Sequence, residues 1–178
     1  MNLKKTRQIL ILIIMIFTGL NHISSYAKTA ENDSSIQKDI LISINKYRTT
    51  HGLSPLILNE SISIEARKHS QDMANHKMPF GHNQFLTRIK RLHGQIKNSG
   101  AAAENVAYNY KDGHDVVKNW LLSPGHKRNI DGNYDLTGIG IARDGKGKLY
   151  FTQIFLRSGK AAQKQKQSLP GLLSKMLR

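Results

Sequence analysis

The chain carries 12 Asp plus Glu against 27 Lys plus Arg, so a carboxylate in an apolar stretch stands out. Glu104 is such a carboxylate. It lies in Ala103-Glu104-Asn105-Val106-Ala107-Tyr108-Asn109, directly after the small-residue run Gly100-Ala101-Ala102. A carboxylate withdrawn from water needs cationic or N–H partners, or it takes up a proton. Histidines that could donate, accept or ligate recur at His69, His82 and His126. Ser123 stands three residues before His126. A serine hydrolase, however, needs a base within hydrogen-bond reach and an oxyanion hole. Ser123 directly precedes Pro124 and no nucleophile-elbow motif occurs, which sets serine chemistry aside.

The elements that must hold these groups follow from periodicity. Ile36, Ile40, Leu41, Ile44 and Tyr47 share a helical face, with Asp33 or Ser34 as its cap and Gly52 as its stop. Residues 53–59 read as an extended connector. Asn59 can cap a second helix reaching about His76, with Ile62, Ala66, His69 and Met73 on its packed side. That placement makes His69 a satisfied core or edge histidine. Residues 78–83 are a break, and Phe85, Ile89 and Leu92 predict a short helix over 84–93. The stretch 94–103 reads as a loop. Val116, Val117, Trp120 and Leu121 predict a helix over about 112–122, ended by Ser123-Pro124-Gly125. Trp120 is its core anchor. Two β-rich runs, one through Leu136, Ile139 and Ile141 and one from Leu149 to Leu156, flank the turn Asp144-Gly145-Lys146-Gly147. They predict a hairpin. Helices first and a hairpin last give an α+β fold with a largely antiparallel sheet.

The first 27 residues read as a secretory signal peptide. Lys4, Lys5 and Arg7 are followed by the apolar run Ile9 to Leu20 and by Ser25-Tyr26-Ala27 at a cleavage point. The run is shorter than the roughly 18–20 residues that span a bilayer. Residues 28–35 read as a flexible lead, 36–157 as one domain and 158–178 as a basic, flexible tail. The chain has no Cys, so neither disulfides nor a lipid-modified cysteine contribute. Loss of the signal takes the formal charge from +15 to +12. Export turns that charge toward envelope polyanions and lipid heads rather than nucleic acid.

Several motifs stand in a recognisable order: HSQDMA (69–74), GHN (81–83), AENVA (103–107), NWLLSPGHKRNI (119–130), GIGIA (138–142) and YFTQIF (150–155). With them the chain resembles the CAP superfamily of cysteine-rich secretory, antigen 5 and pathogenesis-related proteins, in its bacterial, cysteine-free SCP-like branch. The resemblance covers about Ile36 to Leu156 and implies a three-layer α-β-α sandwich with a cleft. It places His82 and Glu104 in that cleft, with Ala103 in place of the usual Gly. Two further family positions depart, since Tyr150 replaces a His and Ser123 a Glu. The W-x-x-S-x-G-H pattern of bacterial members brings His126 to the same cleft. Asn105, Ser123, Tyr150 and Gln153 are expected to line it. His82, Glu104 and His126 are thus the catalytic candidates and the candidate metal ligands. They suit a divalent cofactor such as Zn²⁺ with an open fourth position. The other reading is a structural knot that holds the loop in place. Three functions follow. The favoured one is an exported, non-enzymatic module that binds a lipid, a sterol or an anionic envelope partner. The second is a metal-dependent hydrolase with Glu104 as ligand or base. The third is a structural envelope protein with an inert cleft.

Overall fold

A computed structural model of the chain describes residues 32–159. The stretch read as a signal peptide, with the other residues up to 31, and the stretch from 160 on lie outside the described residues. The elements are α1 (32–50), β1 (Ile57–Leu58), α2 (Glu60–Ala74), α3 (Phe85–Gln95), β2 (Ala102–Tyr108), α4 (Gly113–Leu122), α5 (Pro124–Asp131), β3 (Leu136–Arg143) and β4 (Leu149–Leu156).

The hairpin of β3 and β4 is the centre of a four-stranded sheet in the order β1-β3-β4-β2. β3 and β4 pair antiparallel, β2 joins β4 antiparallel, and the short β1 runs parallel to β3. Both faces of the sheet are covered. On one face Phe151, Phe155, Ile139 and Ile141 pack with Ile40 and Ile44 of α1, Trp120 of α4 and Ile130 of α5. On the other, Ile154 and Leu156 meet Ile62 and Ala66 of α2 and Leu92 of α3, while Tyr150 and Val106 meet Met73. Because both faces are buried, β4 is covered at every position, and its sequence is a continuous apolar run broken only by Thr152 and Gln153. The result is the α-β-α sandwich that the resemblance implied.

Two glycines set how closely α2 lies on the sheet. A Cβ at Gly138 would fall 2.2 Å from the Ile62 carbonyl carbon, and one at Gly140 2.1 Å from the Arg67 nitrogen. The helix backbone therefore rests directly on β3, and Ser70 seals the contact by donating to the Gly140 carbonyl at 3.0 Å. On the opposite face, buried Arg48 donates to the carbonyls of Ser54, Ile130, Gly132 and Tyr134, tying α1 to the end of α5.

Asn59 caps α2 as its sequence position suggests, accepting from the Ile62 N–H at 3.2 Å. Three expectations need correction. Asp33 and Ser34 do not cap α1; both lie within it, as do 32–35, which were expected to be a flexible lead. The loop read over 94–103 is shorter, because α3 continues to Gln95 and β2 begins at Ala102. Pro124 ends α4 but also starts α5 at its first turn, where its missing N–H costs nothing.

Candidate functional site

Glu104 sits on β2, opposite Ile154, and points to the α2/α3 face of the sheet. Its side chain is 2% exposed. Arg88 of α3 clamps it with both arms of the fork: Nε donates to Oε2 at 3.0 Å and Nη2 to Oε1 at 2.8 Å. His82 donates Nδ1–H to Oε1 at 3.0 Å from the loop between α2 and α3, with 53% of its side chain in solvent. Below them lies His69 of α2, buried, its Nε2 2.8 Å from the Gly81 carbonyl and 3.9 Å from Glu104 Oε1. A carbonyl only accepts, so Nε2 carries the proton and Nδ1 is bare; Nδ1 has no partner among the described residues. Burial first, and then the Arg88 charge, hold the His69 imidazole below its ordinary range, against the pull of Glu104 and the Gly81 bond. It is therefore neutral at pH 7.

Arg88 did not emerge from the sequence reading. The signal was there: it lies three residues after Phe85 and four before Leu92, inside the apolar stripe of α3. An arginine in a buried stripe calls for a buried acid.

The remaining expected residues divide between the two faces of the sheet. Strand alternation sends Asn105 to the face opposite Glu104, where it accepts from Asn129 Nδ2 at 2.8 Å and donates to the His126 carbonyl at 3.2 Å. Asn129 also donates to the Glu104 carbonyl at 3.1 Å. His126, on the first turn of α5, tilts its ring against Trp120 at 6.4 Å between centroids. Burial, and secondly the nearby His82, lower its pKa. His82 stands in the loop between α2 and α3 and His126 on α5, so the two come from opposite layers of the sheet. Ser123 precedes α5 and makes no side-chain capping bond. Tyr150 and Gln153 fall on opposite faces of β4. Gln153 is fully buried, donates to Thr137 Oγ1 at 3.2 Å, and leaves its Oε1 unpartnered among the described residues. It does not line the same space as Tyr150.

The donor set does not fit the metal site expected from His82, Glu104 and His126. Both carboxylate oxygens of Glu104 are taken by a guanidinium, which a divalent ion would have to displace. Among the described residues no group of three or more His, Cys, Asp or Glu is placed to hold an ion.

Beside this knot the surface opens into a groove of about 340 Å³. Met73 and Tyr150 form its floor, and His76, Lys77, Met78, Pro79 and Phe80 its wall. Two of its lining rings, Phe80 and Tyr150, are joined through Tyr108 beside it: Phe80 to Tyr108 at 4.9 Å and Tyr108 to Tyr150 at 5.6 Å. Phe80 and Tyr108 are each nearly half exposed. Tyr150 was expected at the site, whereas Phe80 and Tyr108 were not singled out. They meet only because β2 and β4 are neighbours and the loop after α2 folds back over them.

The family description of the CAP cysteine-rich secretory proteins matches residues 41–155. The chain belongs to the CAP family. Two Bacillus subtilis relatives of this CAP chain, the membrane protein YlbC and the protein YkwD, are each 33% identical over 129 residues. The alignments cover 68% of this chain and 34% of YlbC, and 69% of this chain and 48% of YkwD. The CAP chain thus corresponds to about a third of one relative and about half of the other. Among solved structures, an extracellular SCP-domain protein from Bacillus anthracis is similar with a TM-score of 0.58 and 25% identity. That match covers 71% of this chain and 41% of the other.

Proposed function

We propose that this CAP domain is an exported binding module that seats an amphiphile of the lipid or sterol class in the aromatic groove. The groove carries the reading: an apolar floor of Met73 and Tyr150, the half-exposed Phe80 ring in its wall with half-exposed Tyr108 packed beside it, and a cationic rim at Lys77. Apolar clefts with few polar groups are the usual seats of small molecules. Exposed aromatic rings are costly to leave bare, so their clustering favours a partner. The chain's net positive charge adds attraction for an anionic head or an anionic envelope surface. The state of Glu104 argues against a hydrolase, since a general base must be free to take a proton and Glu104 is clamped by Arg88. Export is supported by the basic and apolar order of the first residues and by the extracellular and membrane descriptions of the relatives.

The test is equilibrium binding of a fluorescent fatty acid to the natural chain and to Phe80→Ser and Tyr108→Ser. Saturable binding that weakens at least tenfold in both variants is the expected result, about 1.4 kcal/mol for a lost aromatic contact. Equal affinity in all three proteins would move the ligand elsewhere.

A further inference from the structure

We propose that residues 76–84 form a strap across the aromatic groove and that the Glu104 cluster is the latch that keeps it closed. The proposal concerns regulation of the groove and rests on the reading of that groove as the ligand seat.

The backbone marks the two ends of the strap. His76 and Gln84 both hold left-handed φ values, 55° and 59°, which residues with a side chain seldom adopt. Gly81, near the far end, has φ 138°. These are the positions where the chain leaves α2, turns back, and enters α3. Non-glycine residues in this region persist where their surroundings hold them, and such positions gather at clamps and switches.

Both ends are anchored, the near end by backbone bonds alone, beginning with the His76 N–H on the Met73 carbonyl at 3.0 Å, and the far end by side chains. At the near end, the N–H groups of Lys77 and Met78 both reach the Asp72 carbonyl, at 2.8 and 3.3 Å. At the far end three successive residues are tied to the buried cluster. The Gly81 carbonyl accepts from His69 Nε2 at 2.8 Å. His82 Nδ1 donates to Glu104 at 3.0 Å. The Asn83 carbonyl accepts from Arg88 Nη1 at 2.7 Å. Arg88 thus grips Glu104 with two nitrogens and the strap with its third. Between the two anchors, Pro79 and Phe80 make no hydrogen bond among the described residues, and Phe80 rests on Tyr108 by ring contact. These two residues, with Met78, form the wall of the groove.

A segment fixed at its near end by backbone bonds, held by apolar contact in its middle and closed at its far end by a side-chain cluster swings open when that cluster lets go. The two features of this site, the buried acid and the aromatic groove, then have one role between them. Glu104 and Arg88 set the position of residues 81–83, and those residues set how far the wall stands from Tyr150. His82 is the exposed member of the latch and the one that solvent or an arriving ligand head can reach.

The absence of Cys from the chain makes a clean probe possible. Met78→Cys places a single thiol in the groove wall, and Ile64→Cys places one on the exposed side of α2 as an open control. Thiol-labelling rates are measured for each, alone and combined with His82→Ala. The thiol at 78 should label much more slowly than the control. Removing His82, one partly exposed ion pair, should speed it about fivefold while leaving the control unchanged. Thermal unfolding checks that His82→Ala folds. A thiol at 78 that labels as fast as the control, or at the same rate with and without His82, overturns the strap. The same proteins are then titrated with the fluorescent fatty acid. Faster labelling without His82, in proteins that bind no fatty acid, would keep the strap and remove the ligand reading. Fatty acid binding with unchanged labelling would do the reverse.

Discussion

Replacing Glu104 by alanine should be among the most damaging single changes in the domain, and the contacts say by how much. The substitution strips a 3%-exposed Arg88 of the partner for two of its nitrogens. Breaking a buried ion pair from one side leaves an unpaired buried charge and costs about 3–5 kcal/mol. For a domain of this size that lowers the melting temperature by about 6–20 °C. The same carboxylate bonds His82, whose side chain is 53% exposed. That pair is screened by water, so His82→Ala should cost under about 1 kcal/mol. The assay is thermal and urea unfolding of the natural chain, Glu104→Ala, His82→Ala, Arg88→Met and the double variant Glu104→Gln with Arg88→Met. Both single changes at the buried pair should be severe. The double variant should recover about 2–3 kcal/mol of the summed loss, because no charge is then left unpaired. A cost below about 1 kcal/mol for Glu104→Ala would refute the buried clamp. Strict additivity in the double variant would refute the pairing.

Stability should also fall on acidification, through His69 and His126. His69 and His126 are both held below their ordinary pKa of 6.5, so the unfolded chain takes up protons at a higher pH than the folded one. Their contribution is fully present above about 6.5 and is lost as the pH falls from there through the lowered folded values; urea midpoints from pH 8 to 5 check it, and His69→Gln should flatten the slope. A Cβ at Gly140 would meet the α2 backbone at 2.1 Å, so Gly140→Ala should destabilise by about 3 kcal/mol, whereas Gly125, with nothing within 4 Å, should accept alanine at no cost. Arg48→Lys loses the fork that serves four carbonyls and should cost about 1–3 kcal/mol in urea unfolding. Calorimetric titration with Zn²⁺ should show no heat that depends on His82 or His126, since Arg88 holds the carboxylate they would share.

The helices and the hairpin were legible because each buries one stripe. Ile62, Ala66, His69 and Met73 keep helical spacing and all four are buried, and the Asp144–Gly147 turn lies where its residues put it. Strand β2 was not legible, and the reason is physical. A strand buried on both faces loses the alternation that marks a half-exposed one. Here the loss is compounded, since Glu104 and Asn105 are successive polar residues aimed at opposite layers, each satisfied by a partner far away in sequence. The stretch after the loop read over 94–103 is therefore assigned to no element by its sequence. The trio of His82, Glu104 and His126 was expected from the family resemblance instead, which carries no information about the Arg88 that holds Glu104.

The position of β2 at the sheet's edge gives this divided site its logic. An edge strand leaves alternate backbone groups without a strand partner, and a protein must cover or charge such an edge. In this chain Asn129 covers the Glu104 carbonyl from the α5 side, and on the α2/α3 side His82 bonds the Glu104 carboxylate. Glu104, which family resemblance assigns to a cleft, thus sits on this edge strand with its carbonyl covered by Asn129 and its carboxylate by Arg88 and His82. Their types follow from that duty: an acid buried deeply enough to need an arginine, and a histidine left near the surface. A chain that spent these residues only on stability would have no reason to leave Phe80 and Tyr108 nearly half exposed beside them. The half-exposed Phe80 ring lies in the segment that His82 ties to Glu104 and also lines the groove. Truncating His82 should therefore change ligand exchange rates more than it changes the melting temperature. A variant that loses both in proportion would reduce the cluster to an edge seal.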